Sequence, residues 1–376
     1  MSNDEYEEEK EIKSTLFFHK YHCIEKISEG SFGKIYKAEY NKKYYAMKFE
    51  KKENKYNTLD NEAQILKNIQ GPHIPNIIKY GYSGKYNIIV MELVGKNLEQ
   101  IISQYKTFSI KTTCILLIQM ISILEYIHSK NIIHRDIKPE NFAMGKDINE
   151  KYVYLLDFGL AKKFCSYYRK INNKKLTGTA IYASINSLKG FDQSRKDDLE
   201  GLSYVIMYLL KGKLPWNEIK AKNKSDRYKQ ILKQKIEINI TDFCKNLPYE
   251  FEYFFNYCRI LKYEEKPNYE KLRQLFYDVL KKENFEMDYI YDWSNINNLK
   301  KYDSYKLCLI DENNDNDINY LIKENYKNNE LYEKNYILNT IEGEYDLNNI
   351  YNDDILIKNY KRKSENEKIF CRCFIF

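Results

Sequence analysis

Between positions 132 and 141 the chain reads IIHRDIKPEN, which gathers His134, Arg135, Asp136, Lys138 and Asn141 into one short polar run. Its proline discourages helix and an apolar segment leads into it, so the run is expected to form a tight loop. Alone, such a loop could be ordinary charged surface. The residue types are nevertheless those that phosphoryl transfer needs: an acceptor for a hydroxyl proton, a cation beside the moving phosphoryl, and amide and carboxylate oxygens for Mg²⁺.

The other parts of that chemistry follow in order. SEGSFGKIY (28–36) lies between two expected strands, and Gly30 and Gly33 allow close backbone approach to phosphates. That signal is weak by itself, because a strand turn uses two glycines as readily. Lys48, 15 residues after Gly33, would anchor the phosphates, and Glu62 on the next helix could turn toward it. LLDFGLA (155–161) sets Asp157 at a strand end, 21 residues after Asp136, as a metal ligand alongside Asn141. Asp136 would orient the hydroxyl and Lys138 steady the phosphoryl. Each piece could be accidental. Together, in this order and spacing, they match the protein-kinase signature, and Lys138 is typical of Ser/Thr rather than Tyr kinases.

The elements that must position these groups are legible in the hydrophobic pattern. Residues 21–50 alternate as strands, 57–70 has helical spacing, and YNIIVMEL (86–93) is a buried strand. From about 97 the pattern is mainly helical, over 112–129, 196–211, 226–236, 249–261 and 268–282. A β-rich half before a larger helical half predicts an α+β, bilobal kinase fold with a cleft between the lobes. The expected bounds are an acidic extension (1–15), an N-lobe (16–94), a C-lobe (95–298) and a mobile Asn/Asp/Tyr/Lys-rich tail (299–376).

Composition constrains partners. The net charge of +7 is uneven: residues from Lys301 onward carry 11 basic and 15 acidic side chains, leaving +11 on residues 1–300. A basic body suits acidic ligands, phosphoproteins or anionic lipid, although a solvated surface accounts for it equally well. Six of the eight cysteines are expected to be ordinary buried or semi-buried thiols without metal-ligand spacing. Met1–Lys10 is acidic and lacks an apolar run, and the apolar stretch Cys114–Ile123 is too short to cross a bilayer. A reduced, cytoplasmic compartment, a monomer and no nucleic-acid partner are the expectation.

EYIHSKNIIHRDIKPENFAMG (125–145), DFGLAKKF (157–164), LTGTAIYASIN (176–186), QSRKDDLEGLSYVIMYLLKGKLPW (193–216) and KPNYEKLRQLF (266–276) closely resemble the casein kinase I family over roughly 16–298. Like that family, the chain has Ser184-Ile185-Asn186 where most kinases carry Ala-Pro-Glu. The resemblance implies ATP and Mg²⁺ as cosubstrate and cofactor, and Ser/Thr in acidic or already phosphorylated proteins as acceptors. It places ATP against Ile27, Gly30, Ser31, Phe32, Gly33, Ile35, Ala46, Lys48, Met91 (gatekeeper), Glu92, Val94 and Ala143. Asp198 would hold the catalytic-loop backbone.

Four positions depart from the family pattern. Ser28 replaces the first loop glycine; Ala143 replaces the usual leucine under adenine; the segment from Gly159 to Leu176 is short; and Ile181 replaces an arginine of a phosphate pocket. Losing that charge-assisted bond would cost about 1.5–3 kcal/mol in preference for primed substrates. Lys224 still matches a pocket position. The competing reading is a pseudokinase or nucleotide-binding scaffold, which the presence of Lys48, Glu62, Asp136, Asn141 and Asp157 disfavours. The chain ends CFIF, which fits a prenylation box at Cys373, with Cys371 and the basic run Lys361-Arg362-Lys363 as second membrane signals; a plain tail ending in apolar residues is the alternative. DENNDNDINY (311–320) reads as an acidic spacer or a weak pseudosubstrate.

Overall fold

Strand alternation builds the first lobe. After helix α1 (Asn3–Ser14) and a two-residue strand β1 (Leu16–Phe17), the chain runs through β2 (Tyr21–Gly30), β3 (Gly33–Tyr40) and β4 (Lys43–Lys51). Helix α2 (Thr58–Asn68) then crosses to β5 (Ile77–Ser83) and β6 (Tyr86–Glu92). The six strands form one antiparallel sheet in the order β1-β2-β3-β4-β6-β5. This computed structural model describes residues 3–30, 33–53, 58–165 and 176–294, all within one compact unit, Met1–Asn295.

Because side chains alternate across a sheet, the two faces have different tasks. Tyr36 and Ala38, Met47 and Phe49, and Tyr86, Ile88 and Val90 share one face with Tyr21 and Cys23 and form a separate apolar core. Ile12 of α1, with no exposed surface, belongs to that core. Within the expected acidic extension (1–15), residues 3–14 form a helix docked on the sheet. One buried isoleucine among glutamates and lysines gives too narrow an apolar stripe to announce it. On the opposite face, Ile89 packs with Leu59, Ala63 and Leu66 of α2.

The second lobe begins with α3 (Leu98–Tyr105), whose Asn97 cap forms a capping box with Gln100. It is built around α4 (Ile110–Ser129), apolar on nearly every side and mostly buried. Among the described residues α4 is the helix long and apolar enough to cross a membrane, and here it is the core helix of the lobe. Short strands β7 (Ile132–Ile133), β8 (Phe142–Met144), β9 (Val153–Leu155) and β10 (Lys162–Lys163) pair as β7–β10 and β8–β9 and fix the ends of the polar loops. Then come α5 (Ile185–Leu188), α6 (Arg195–Lys211), α7 (Lys224–Glu237), α8 (Ile240–Phe243), α9 (Tyr249–Ile260) and α10 (Tyr269–Lys282). Gly212, at φ 73°, ends α6 in the left-handed conformation that favours glycine.

The fold continues past α10. Gln119 of α4 donates to the Tyr291 hydroxyl, which donates to the Lys151 carbonyl, and Tyr291 stacks on Trp293 at 4.8 Å. The expected tail, with Cys371, Cys373 and 311–320, lies outside the described residues, as do Ser31, Phe32 and 166–175 of the activation segment.

Candidate active site

The catalytic loop is hung from α6. The Asp198 carboxylate accepts the backbone N–H of His134 and of Arg135, each at 2.8 Å, and the ring Nε2–H of His128, also at 2.8 Å. His128 Nδ1 in turn accepts from the Tyr269 hydroxyl at 2.6 Å. Burial would push Asp198 up, but the hydrogen bond from His128 and those from the loop backbone hold it below the usual carboxylate range. Arg135 sits at φ 68°, a conformation costing on the order of 1–2 kcal/mol outside glycine. The two backbone bonds to Asp198, and the bond from Arg135 Nε to the Leu160 carbonyl at 2.7 Å, hold it there.

So positioned, Asp136 is 4 % exposed, and both its oxygens are engaged. Oδ1 accepts from the Thr179 hydroxyl at 2.9 Å and Oδ2 meets Lys138 Nζ at 2.8 Å. Asn141 donates its Nδ2 to the Asp136 carbonyl at 2.8 Å, which leaves the amide oxygen for a cation. Gly178, at φ +94°, lets the activation segment lie on this loop: a Cβ there would stand 2.4 Å from the Arg135 carbonyl oxygen.

Lys48 joins three elements. Reaching from β4, its Nζ lies 2.6 Å from Glu62 Oε2 on α2 and 2.7 Å from Asp157 Oδ1 after β9. Burial alone would depress this lysine, but the two carboxylates keep its ammonium above its ordinary range. Burial raises Asp157 too, and Lys48 outweighs it, so Asp157 stays below its usual range and charged. Glu62, more deeply buried and sharing Lys48 with a second carboxylate, is pushed upward. Phe158 is wholly buried against His134, with centroids 5.0 Å apart, which holds Asp157 toward the cleft side of the lysine. Among the described residues, the hydrogen bonds of Asp157 fall on Oδ1 and leave Oδ2 unengaged. Asp157 and Asn141 thus present hard oxygen donors, the set Mg²⁺ prefers.

Gly30 and Gly33 pair across the tip of the β2–β3 hairpin. A Cβ at Gly33, φ +120°, would stand 2.0 Å from the Phe49 carbonyl oxygen, whereas one at Gly30 would meet nothing within 4 Å. Packing requires only the first glycine, and the second leaves open room beside the loop. Ala46 pairs with Met91 across β4 and β6, Ile27 is 42 % exposed, and Ile35, Glu92 and Val94 are half-buried. The Glu92 carboxylate is turned to the Asn76 amide groups, so the strand end is left to act through its backbone. Ala143 has no exposed surface, is bridged to Asn97 and is paired with Tyr154 in β8–β9.

Lys224 is exposed at the first turn of α7, and Ile181 packs against the apolar core, its carbonyl held by Trp216 Nε1 at 2.8 Å. Two cations near this segment were not anticipated. Arg227 reaches the Asn217 carbonyl at 3.5 Å with Nη2, while its buried Nε has no partner. Lys235 has no exposed surface and donates to the Ala180 and Ala183 carbonyls at 3.2 and 2.6 Å. Its Nζ lies over the rings of Tyr204 (4.0 Å) and Trp216 (4.9 Å), and burial holds its pKa well below the ordinary value. The signal for Lys235 was its place four residues after Ile231, on the buried face of α7.

A fold of this kind, with a lysine bound to a helix glutamate and to the aspartate before a buried Phe-Gly, defines an ATP-dependent phosphotransferase site. Residues 21–284 match the family model for the protein kinase domain, well over half of the 376 residues, and the chain belongs to the protein kinase superfamily.

Proposed function

We propose that this protein is a serine/threonine-protein kinase of the casein kinase I type, moving the γ-phosphoryl of ATP onto Ser or Thr of acidic protein substrates. The observation that carries this reading is the intact ion chain Glu62–Lys48–Asp157 beside an Asp136 held by Lys138 and Thr179. Both halves of a competent kinase cleft are thereby in place at once. A scaffold without transfer would have no use for Asp136 so held, since it binds no nucleotide phosphate itself.

In the reaction a substrate hydroxyl sits beside Asp136, which orients it and accepts its proton as the Ser Oγ–P bond forms. The bond from the γ-phosphorus to the β,γ-bridging oxygen breaks, and ADP leaves with the electron pair. Lys138 lies at the same carboxylate and offsets charge on the moving phosphoryl; Lys48 anchors the remaining phosphates. Mg²⁺, held by Asp157 and Asn141, would neutralise charge between the phosphates.

Substrate choice is set by the segment around Ile181. The absence of a cation at that position, with Lys224 in solvent, argues for acidic side chains over an obligatory primed phosphate. Arg227 is the residue best placed to meet such an acid. The decisive assay is transfer from Mg-ATP to matched primed, acidic and neutral Ser peptides. Transfer to the acidic peptide should equal that to its primed twin, and Asp136→Asn should lower kcat by roughly 10²–10⁴-fold. Strong priming dependence would refute the substrate reading. Nucleotide binding without transfer would make the chain a scaffold. The tail residues Cys371 and Cys373 support a second proposal, attachment to anionic membranes in the cytoplasm by lipidation. Cys373→Ser should then move the protein to the soluble fraction, and unchanged fractionation would end that idea.

A further inference from the structure

Helix α1 carries two glutamates that the transfer chemistry does not use, yet both are tied to the strands bearing the phosphate loop. Glu8, 11 % exposed at its side chain, binds Lys34 of β3 at 2.9 Å, Lys51 of β4 at 3.0 Å and the Tyr86 hydroxyl of β6 at 2.8 Å. Glu9 binds Lys26 of β2 at 3.5 Å. Between them, Glu29 in the loop itself binds Lys26 at 3.1 Å and Lys34 at 3.6 Å. The charges therefore alternate in sign from Glu9 through Lys26, Glu29, Lys34 and Glu8 to Lys51. Helix, hairpin and inner strand are joined in one row.

We propose that α1 braces the phosphate-loop hairpin, with Glu8 as a positioning residue that sets nucleotide affinity through Lys34. Lys34 follows Gly33, the glycine that no other residue can replace. Of its two carboxylate partners, Glu29 belongs to the loop and moves with it. Glu8 is the one fixed to the body of the lobe, by the buried Ile12 one helical turn away and by Tyr86. Burial would raise the Glu8 carboxyl, but its three donors hold it down to about 2, so the brace is charged at any working pH.

This inference rests on the kinase reading, so the experiment separates the two. In the full chain, Glu8→Gln should raise the Mg-ATP KM and the directly titrated Mg-ATP Kd by about three- to tenfold. Peptide KM and kcat should stay within about twofold, and Glu8→Asp should recover most of the loss. Glu11→Gln serves as control: its partner Lys85 lies in the β5–β6 turn and not on the hairpin, so nucleotide affinity should not move. An unchanged ATP KM and Kd in Glu8→Gln, or equal damage to peptide and ATP constants, overturns the brace. If the unaltered protein transfers nothing, the kinase reading fails, while the nucleotide Kd series still decides the role of α1.

Discussion

Lys235 is the residue whose burial most needs a purpose. A lysine with no exposed surface and no carboxylate within ion-pair distance among the described residues is held only by two carbonyls, two aromatic faces and the more distant Glu200. Those carbonyls, of Ala180 and Ala183, bracket Ile181, so the lysine fixes the segment proposed to face the substrate. Lys235→Met keeps the stem but removes both bonds. The expected outcome is a peptide KM raised by about five- to tenfold with ATP KM unchanged, as separate saturation curves would show. Asp198→Asn acts on the other segment: one of its two bonds to the catalytic loop weakens, and kcat should fall by about tenfold or more with both KM values held. At this scale the sequence was informative where identity alone carries the chemistry. Asp136, Asn141, Lys48, Glu62 and Asp157 come together as spacing implied. It was uninformative where burial decides, because Lys235 and Arg227 stand in a lysine-rich helix whose letters do not say which cations face inward.

Among the elements, α1 departs furthest from expectation. Eight of its twelve residues are charged, and its docking rests on Ile12 and on pairs with lysines distant in sequence. Hydrophobic pattern cannot foresee such pairs, whereas α4, α6 and α10 were legible because their apolar repeats are long. Ile12→Ala should cost about 2–4 kcal/mol, read as a lower thermal midpoint. The pH dependence of Glu8 has a definite sign. Its folded pKa, about 2, lies below the ordinary 4.5, so its contribution is complete above pH 4.5 and is lost as pH falls from there through 2. The stability gap between the unaltered protein and Glu8→Gln, measured by thermal unfolding across pH, should therefore be widest near neutrality and close toward pH 2.

For the whole molecule, the ion chain Glu62–Lys48–Asp157 joins sheet, helix α2 and the second lobe, so a nucleotide contacting it binds both lobes of the folded state. Mg-ATP at 100 times its Kd should then stabilise the protein by about 2.7 kcal/mol, seen as a concentration-dependent thermal midpoint that Asp157→Asn largely abolishes. The two-lobed plan itself was evident from the change of period near residue 97. The fastening of residues 285–294 was not, since it depends on polar contacts distant in sequence: Gln119 with Tyr291, Lys111 with Asp288, and Ser109 and Thr112 with Asp292.

The chain has only two tryptophans, and they occupy different seams. Trp216 lies in the cage beside Lys235, while Trp293 is stacked on Tyr291 where the last described residues close over α4. Each indole is thus an optical probe of its own boundary. With Trp293→Phe, emission follows loosening of the segment 180–183; with Trp216→Phe, it follows peeling of the domain's far edge. The molecule carries a built-in pair of dyes with which to ask whether those boundaries melt together.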